Sequence, residues 1–252
     1  MTAAWLRPLE AALDAAPEPV TFFFRDDDAG WADARLTTLL DVFAERAVPI
    51  DLAAIPVAVT PPLARALLAR AQRTQPLGIH QHGYTHVSHE VEGRRCEFGP
   101  ARSAAAQRAD IAAGRRRLEQ LLGPALDRVF TPPWNRCTAA TGACLVELGI
   151  GVLSRDRTAD ALELDGLTEL PVQVDWFAKR KGVALGRVAV GEQLAARATE
   201  AAPLGVMLHH AEMEDDDMAA VGDLLDLVSA HDRARCLAMT AVLEETTLEV
   251  AS

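Results

Sequence analysis

Four of the seven histidines in this 252-residue chain, His80, His82, His86 and His89, fall within ten residues. The other concentration of ionisable groups is the run Arg25-Asp26-Asp27-Asp28. The spacing of His82 and His86 lets two imidazoles face one ion in a helical turn or a compact loop. One carboxylate from the aspartate run would complete a set of two histidines and one aspartate, with open positions for water and substrate. A divalent ion there would lower the pKa of a bound water, and a second carboxylate beside it would accept the proton. His209 or His210 could then protonate a leaving group. Together these are parts for hydrolysis of an amide or ester. Structural roles compete with each assignment: the aspartates could cap a helix opening at Asp33, and His209-His210 could be a satisfied core pair. The run Glu212 to Asp217 reads as a solvated helix start, and His231 as a surface residue at a helix end.

The elements that must position these groups alternate regularly. Residues 3–16, 33–47, 61–73, 101–122, 139–148, 191–202 and about 215–230 carry helical spacing. Residues 20–24, 50–59, 77–79, 128–130, 150–153, 170–177 and 205–208 read as strands. Residues 242–250 form a tail of unassigned structure. Polar groups recur at the C-terminal ends of strands: Asp26 to Asp28, His80 to His86, Pro132 to Asn135, Asp175-Trp176 and His209-His210. In a parallel α/β sheet or barrel those ends meet on one face, where such enzymes keep their chemistry. No linker-like stretch or internal repeat divides the chain, so residues 1–252 are expected to form a single catalytic domain.

Composition narrows the function. Half of the residues are hydrophobic and 24% are charged, enough for a sizeable core. The formal net charge of −11 argues against nucleic acid or an anionic membrane as partner. The basic run Arg115-Arg116-Arg117 falls in a helical pattern and reads as a solvated helix face. No apolar run is long enough to span a bilayer, and residues 1–20 lack the pattern of a signal peptide. The four cysteines are scattered with no Cys-x-x-Cys pair, which fits a reduced cytoplasmic protein.

The order Asp-Asp, His-x-x-x-His, Pro-Pro-aromatic, Asp-Trp and Leu-His, spread over roughly residues 20–210, resembles the polysaccharide deacetylase superfamily. The likeness is greatest to soluble variants reading Arg-Asp-Asp-Asp and His-Gly-Tyr-x-His. The resemblance implies a distorted (β/α)7 barrel, a divalent metal with zinc expected first, and removal of N- or O-acetyl groups from carbohydrates. Carried over by position, it makes Asp27 the catalytic base and Asp28 a metal ligand; a register one residue earlier would give Asp26 and Asp27. It makes His82 and His86 the other two metal ligands and His209 the general acid, with His210 as its alternative. Trp134 would hold the oxyanion through its backbone N–H.

Two positions depart from the family pattern. Thr131 stands where an arginine usually precedes Pro-Pro and tunes the base. Arg25 or Arg136 would have to supply that charge, with Asp175 as its partner. Asn135 stands where glycine is common. The expected substrate is a small cytoplasmic acetylated sugar or an oligosaccharide. An amidase acting on a non-sugar C–N bond, as in ureides, and a non-catalytic metal-binding barrel are the alternatives.

Overall fold

The structure, a computed structural model, describes residues 2–72, 76–180 and 182–251. Its centre is strand β1 (Val20–Ala29), buried along its whole length. Strands β2 (Ile50–Ala54), β3 (Leu77–His82), β4 (Val129–Thr131), β5 (Val152–Leu153) and β6 (Thr168–Glu169) follow it outward on one side. On the other side lie β7 (Val174–Asp175), then the hairpin β8 (Lys179–Arg180) and β9 (Val183–Ala184) as a separate sheet, and β10 (Leu204–Leu208) against β1. All pairings in the main sheet are parallel, including that of β11 (Ala234–Cys236) with the start of β1.

The short segment 168–175 takes up both edges of this curled sheet. Thr168 and Glu169 pair with Val152 and Leu153, whereas Val174 and Asp175 pair with Val206 and Met207. Counting that segment once gives seven staves, a distorted (β/α)7 barrel. Helices α1 (Arg7–Ala15), α2 (Asp33–Glu45), α3 (Pro61–Ala71), α4 (Ala104–Leu122), α5 (Ala139–Glu147), α6 (Arg187–Ala198), α7 (Asp215–Ala230) and α8 (Met239–Ala251) complete it.

The two faces of β1 show how the core is divided. Phe22 and Phe24 join the cluster between sheet and helices, with Leu36, Leu39, Phe43 and Val221. Phe23 points the other way and packs with Val129, Val172, Met207, Met239 and Val242 in the barrel lumen. Alternation of side chains along a strand produces this split, so an unbroken apolar run fits a strand buried on both faces. Helix α8 enters the lumen from the amino-terminal end of the strands, where Asp51 accepts a hydrogen bond from Met239 N at 2.9 Å.

Several sequence expectations need correction. Strand β3 runs on to His82, so His80 and His82 lie on a strand and only His86 lies in the loop beyond it. The segment expected as a strand to residue 59 leaves the sheet after Ala54. Helix α6 begins at Arg187 and stops at Ala198, four residues before the expected end, and Pro203 disfavours helix in the residue before it. The tail is α8, preceded by a strand that the sequence did not announce. The final residue of the helix expected over 61–73 lies outside the described residues. Arg117 is not merely solvated, because it donates to the carbonyls of Pro56 and Val59 and ties α4 to the β2–α3 loop. Asp33 does open α2, but its N-cap Ala32 supplies no side-chain hydrogen bond, so the aspartate run does not serve as a cap. Among the described residues, no helix is long and apolar enough to cross a membrane.

Candidate active site

Strand β1 delivers three consecutive aspartates to three different tasks. In a regular strand Asp26 and Asp28 would share a face. Pairing with β2 shifts register between Asp26 and Ala29, and Asp28 takes a left-handed φ of 71°. Such a bulge re-aims side chains. Asp27 keeps the lumen face with Arg25, while Asp28 swings to meet the histidines.

Asp28 Oδ1 lies 3.2 Å from His82 Nε2 and 3.1 Å from His86 Nε2. The three ligand atoms all fall within 4.8 Å of one another. Burial opposes ionisation of Asp28, yet the two imidazoles hold its carboxyl far below the usual carboxylate range. The other ring nitrogen of His82, Nδ1, is 3.0 Å from the Thr131 carbonyl. A carbonyl can only accept, so Nδ1 carries the proton and Nε2 is the atom turned to Asp28. That outer hydrogen bond is the usual device for orienting a metal-binding imidazole. Asp28 Oδ1 is buried and makes no properly directed hydrogen bond. An oxygen so placed, facing two ring nitrogens, fits a divalent cation, and the donor set of two imidazoles and one carboxylate suits zinc, iron, cobalt, nickel or manganese.

A carboxylate that sequence reasoning missed shapes the loop carrying His86. Glu97 is wholly buried. It accepts hydrogen bonds from the backbone N–H groups of Tyr84, Thr85 and His86 and from the Thr85 hydroxyl, at 2.7–3.3 Å. The loop needs Gly83, because a Cβ there would collide with Glu97 Oε2, and its φ is +55°. His86 also has positive φ, at 58°. Nothing in the local sequence sets Glu97 apart from Glu90 and Glu92 nearby.

Arg25 and Asp27 form a buried, two-pronged ion pair at 2.8 and 3.0 Å. Arg25 also donates to Ser154 Oγ and Asn135 Oδ1, each at 2.7 Å, and touches Met207 Sδ. Burial raises the Asp27 pKa, but the charges of Arg25, His82 and His209 with the Arg25 hydrogen bonds outweigh it, leaving the carboxyl below its ordinary range. Of the two arginines considered, it is Arg25 that meets Asp27. Arg136 instead donates to the Arg95 carbonyl. Asp175 is not the partner of either arginine: its Oδ1 accepts the Phe177 N–H, and burial raises its pKa. Thr131 is occupied elsewhere, with Oγ1 2.8 Å from His80 Nε2. Burial and the charge of Arg25 push the His80 pKa down to about 3, so His80 is a neutral member of the lumen wall.

His209 and His210 separate clearly. His210 is fully buried; its Nδ1 is 2.6 Å from Asp26 Oδ2, its backbone N–H reaches Asp26 Oδ1, and its Nε2 is 2.7 Å from the Trp31 carbonyl. Burial works against protonation, but Asp26 raises the His210 pKa to about 9, so both ring nitrogens donate. Asp26 is thereby taken up by His210 and does not join the metal-type cluster. His209 is half-buried, makes no side-chain hydrogen bond among the described residues, and acts electrostatically on both Asp27 and Asp175.

Trp134 and Asn135 follow Pro132-Pro133 with left-handed φ of 57° each. The Asn135 and Arg136 N–H groups bond to Pro132 and Pro133 carbonyls. The Trp134 N–H finds no acceptor among the described residues, and its ring lies 4.6 Å from that of His86.

No protein-family model matches the sequence, and no curated protein is similar to it in sequence. Solved structures are similar over most of the chain. A protein from Mycobacterium smegmatis provisionally described as a polysaccharide deacetylase superposes with a TM-score of 0.68 at 19% identity, covering 93% of this chain and 92% of the other. The fold is that of the polysaccharide deacetylases. A family 4 acetyl xylan esterase from Clostridium thermocellum, in complex with a cobalt ion, gives 0.61 at 12% identity over 90% of this chain and 92% of its own. A family 4 pseudoenzyme from Bacillus anthracis gives 0.60 at 13% identity, over 90% of this chain and 66% of its own. The polysaccharide-deacetylase fold thus carries both an esterase and a pseudoenzyme, so activity must be argued from the residues.

Proposed function

We propose that this chain is a metal-dependent hydrolase of the polysaccharide deacetylase type. It removes acetyl groups, N- or O-linked, from a carbohydrate or another small acetylated substrate. The observation that carries the reading is the convergence of Asp28, His82 and His86 beside a second, arginine-paired carboxylate, Asp27.

Asp28, His82 and His86 would hold the ion, which when bound supplies a Lewis acid for the acyl oxygen and for water. Asp27 accepts the proton of the attacking water on its carboxylate. Arg25 fixes the orientation of that carboxylate through two hydrogen bonds and lowers its pKa, so that it stays ionised and ready at neutral pH. The free Trp134 N–H donates to the oxygen that gains negative charge as the acyl carbon becomes tetrahedral. His209, unencumbered by other hydrogen bonds, gives a proton to the departing nitrogen or oxygen. His210 cannot share this task, because both of its ring nitrogens are engaged.

Elemental analysis combined with turnover of acetylated sugars tests the proposal. The native protein is expected to hold about one divalent ion per chain and to release acetate, and His82→Ala to lose both. Full activity in His82→Ala would overturn the assignment. The non-catalytic barrel is the second reading, favoured by the pseudoenzyme of the same fold. It predicts bound metal without turnover on any of a broad set of acetylated sugars, esters and small amides. The ureide-like amidase predicts turnover of non-sugar amides alone.

A further inference from the structure

We propose that Trp31 is the platform on which the sugar ring of the substrate lies, an inference that rests on the carbohydrate reading above. Trp31 is 41% exposed, yet its ring stands edge-on to that of the ligand-type His86, centroids 4.7 Å apart at 70°. Trp134 also lies against the same imidazole, centroids 4.6 Å apart. Exposed tryptophans occur singly on ordinary surfaces, but this one is anchored by buried groups. Its backbone N–H donates to the Asp28 carbonyl at 3.1 Å, and its own carbonyl accepts from His210, which Asp26 holds in turn. The preceding Gly30, at φ +116°, lets the chain pass so close to Ala58 that a Cβ there would sit 2.8 Å from the Ala58 side chain. An ion pair with no evident part in the reaction therefore fixes the Trp31 backbone, and the indole it carries lies against His86 of the metal-type cluster.

The chemistry of the substrate meets this arrangement. Only two bonds separate an acyl carbon from the ring carbon that bears the amide or ester. A ring whose acetyl group is at Asp28, His82 and His86 must therefore lie against the walls of that site. Those walls differ in kind. Asp27 and the half-buried His209 bring polar groups to the site. Trp31 adds an exposed apolar surface beside His86, with Val57 (45% exposed) and Val87 (53% exposed) on the adjoining loops. Val57 N bonds to Tyr84 O and joins those two loops. A pyranose has an apolar face of C–H groups and a rim of hydroxyls. The C–H face suits the electron-rich face of an indole, and the rim suits the polar groups.

The test uses metal-loaded wild type, Trp31→Ala and Trp31→Phe, with metal content measured for each. N-acetylglucosamine serves as the pyranose probe and ethyl acetate as a ring-free ester. Trp31→Ala is expected to raise KM for the pyranose roughly tenfold or more, with kcat little changed. Its kcat/KM for ethyl acetate should fall far less than its kcat/KM for the pyranose. Trp31→Phe should recover most of the pyranose KM. An unchanged pyranose KM in Trp31→Ala would overturn the platform, and so would an equal loss on both substrates. Failure of the carbohydrate reading itself would appear separately, in wild type that turns over small ring-free substrates but no acetylated pyranose.

Discussion

Replacing Arg25 with methionine isolates the buried ion pair. Methionine matches the length of the arginine stem, so the lumen stays filled while the charge is lost. The change deletes two hydrogen bonds to Asp27 and one each to Ser154 and Asn135. Asp27, 2% exposed, would then be a buried carboxylate without its cation. Removing one partner of such a pair costs roughly 3–5 kcal/mol. The double variant Arg25→Met/Asp27→Asn removes both charges and should recover about 2 kcal/mol or more relative to the sum of the single changes. Urea unfolding of all four proteins in chelator, at neutral pH, reads this coupling without interference from metal. The pH dependence gives an independent sign. In wild type Asp27 is held below its ordinary pKa. Its contribution to stability is therefore present above the unfolded carboxylate range and lost as pH falls through the folded pKa. In Arg25→Met burial, already the largest single influence, loses its main opponent, so the same group should destabilise the fold as pH rises through the acid range. The acid limb of the rate profile should move to higher pH with it. A single-variant cost under about 1 kcal/mol, or strictly additive single changes, would refute the view of Arg25 as the group that holds Asp27.

The remaining predictions concern other groups. Burial raises the Asp51 pKa to about 7, with Asp127 adding to it. Native Asp51 therefore keeps a proton that the unfolded chain has lost, so wild-type stability should fall between about pH 4 and pH 7, by roughly 3–4 kcal/mol; thermal melts of Asp51→Asn should lack that slope. Glu97→Ala strips acceptors from three loop N–H groups and should weaken divalent-metal affinity about 10–100-fold, read by competition with a chelator; unchanged affinity would dismiss its role. His209→Ala should lower turnover by about 10²–10⁴ with little change in melting. His210→Ala should instead destabilise the fold by roughly 3–5 kcal/mol, because Asp26 is left buried without its cation; the opposite pattern would exchange the two assignments.

Much of this arrangement was legible because strand alternation and strand ends leave local traces. The run Val20 to Phe24 announced a doubly buried strand, and polar residues after each apolar run announced a shared face. The three aspartates were harder to separate, because alternation alone would put Asp26 and Asp28 together; a bulge and one left-handed residue decide their directions. Neighbours in sequence were equally poor guides at His209-His210, where Asp26 and the Trp31 carbonyl, both far away in the chain, remove one imidazole from the site. Glu97 left no local sign because its task depends on where a loop of irregular backbone folds back. The Arg25–Asp27 pair could be suspected from i, i+2 spacing on a strand, but its supports at Ser154 and Asn135 come from other staves. The ends of α6 escaped because its alanine-rich pattern fades gradually, and α8 and β11 escaped because Thr and Val favour strand as much as helix in α8 and β11 is only three residues long.

The segment 168–175 gives the barrel a clasp. The ladders of β1 with β10 and of β2 with β3 run to five residue pairs each, whereas each edge of the clasp is fastened through two, as are the joints of β4 with β3 and β5. A cylinder closed this way can open along one line without disturbing the rest of its wall. That line runs past Asp175, whose charge environment includes His209. Amide exchange should therefore be faster along the clasp than along the β1–β10 and β2–β3 ladders, and breathing there would loosen the proton-donating side of the site while the long ladders that carry Asp28 and His82 stay shut.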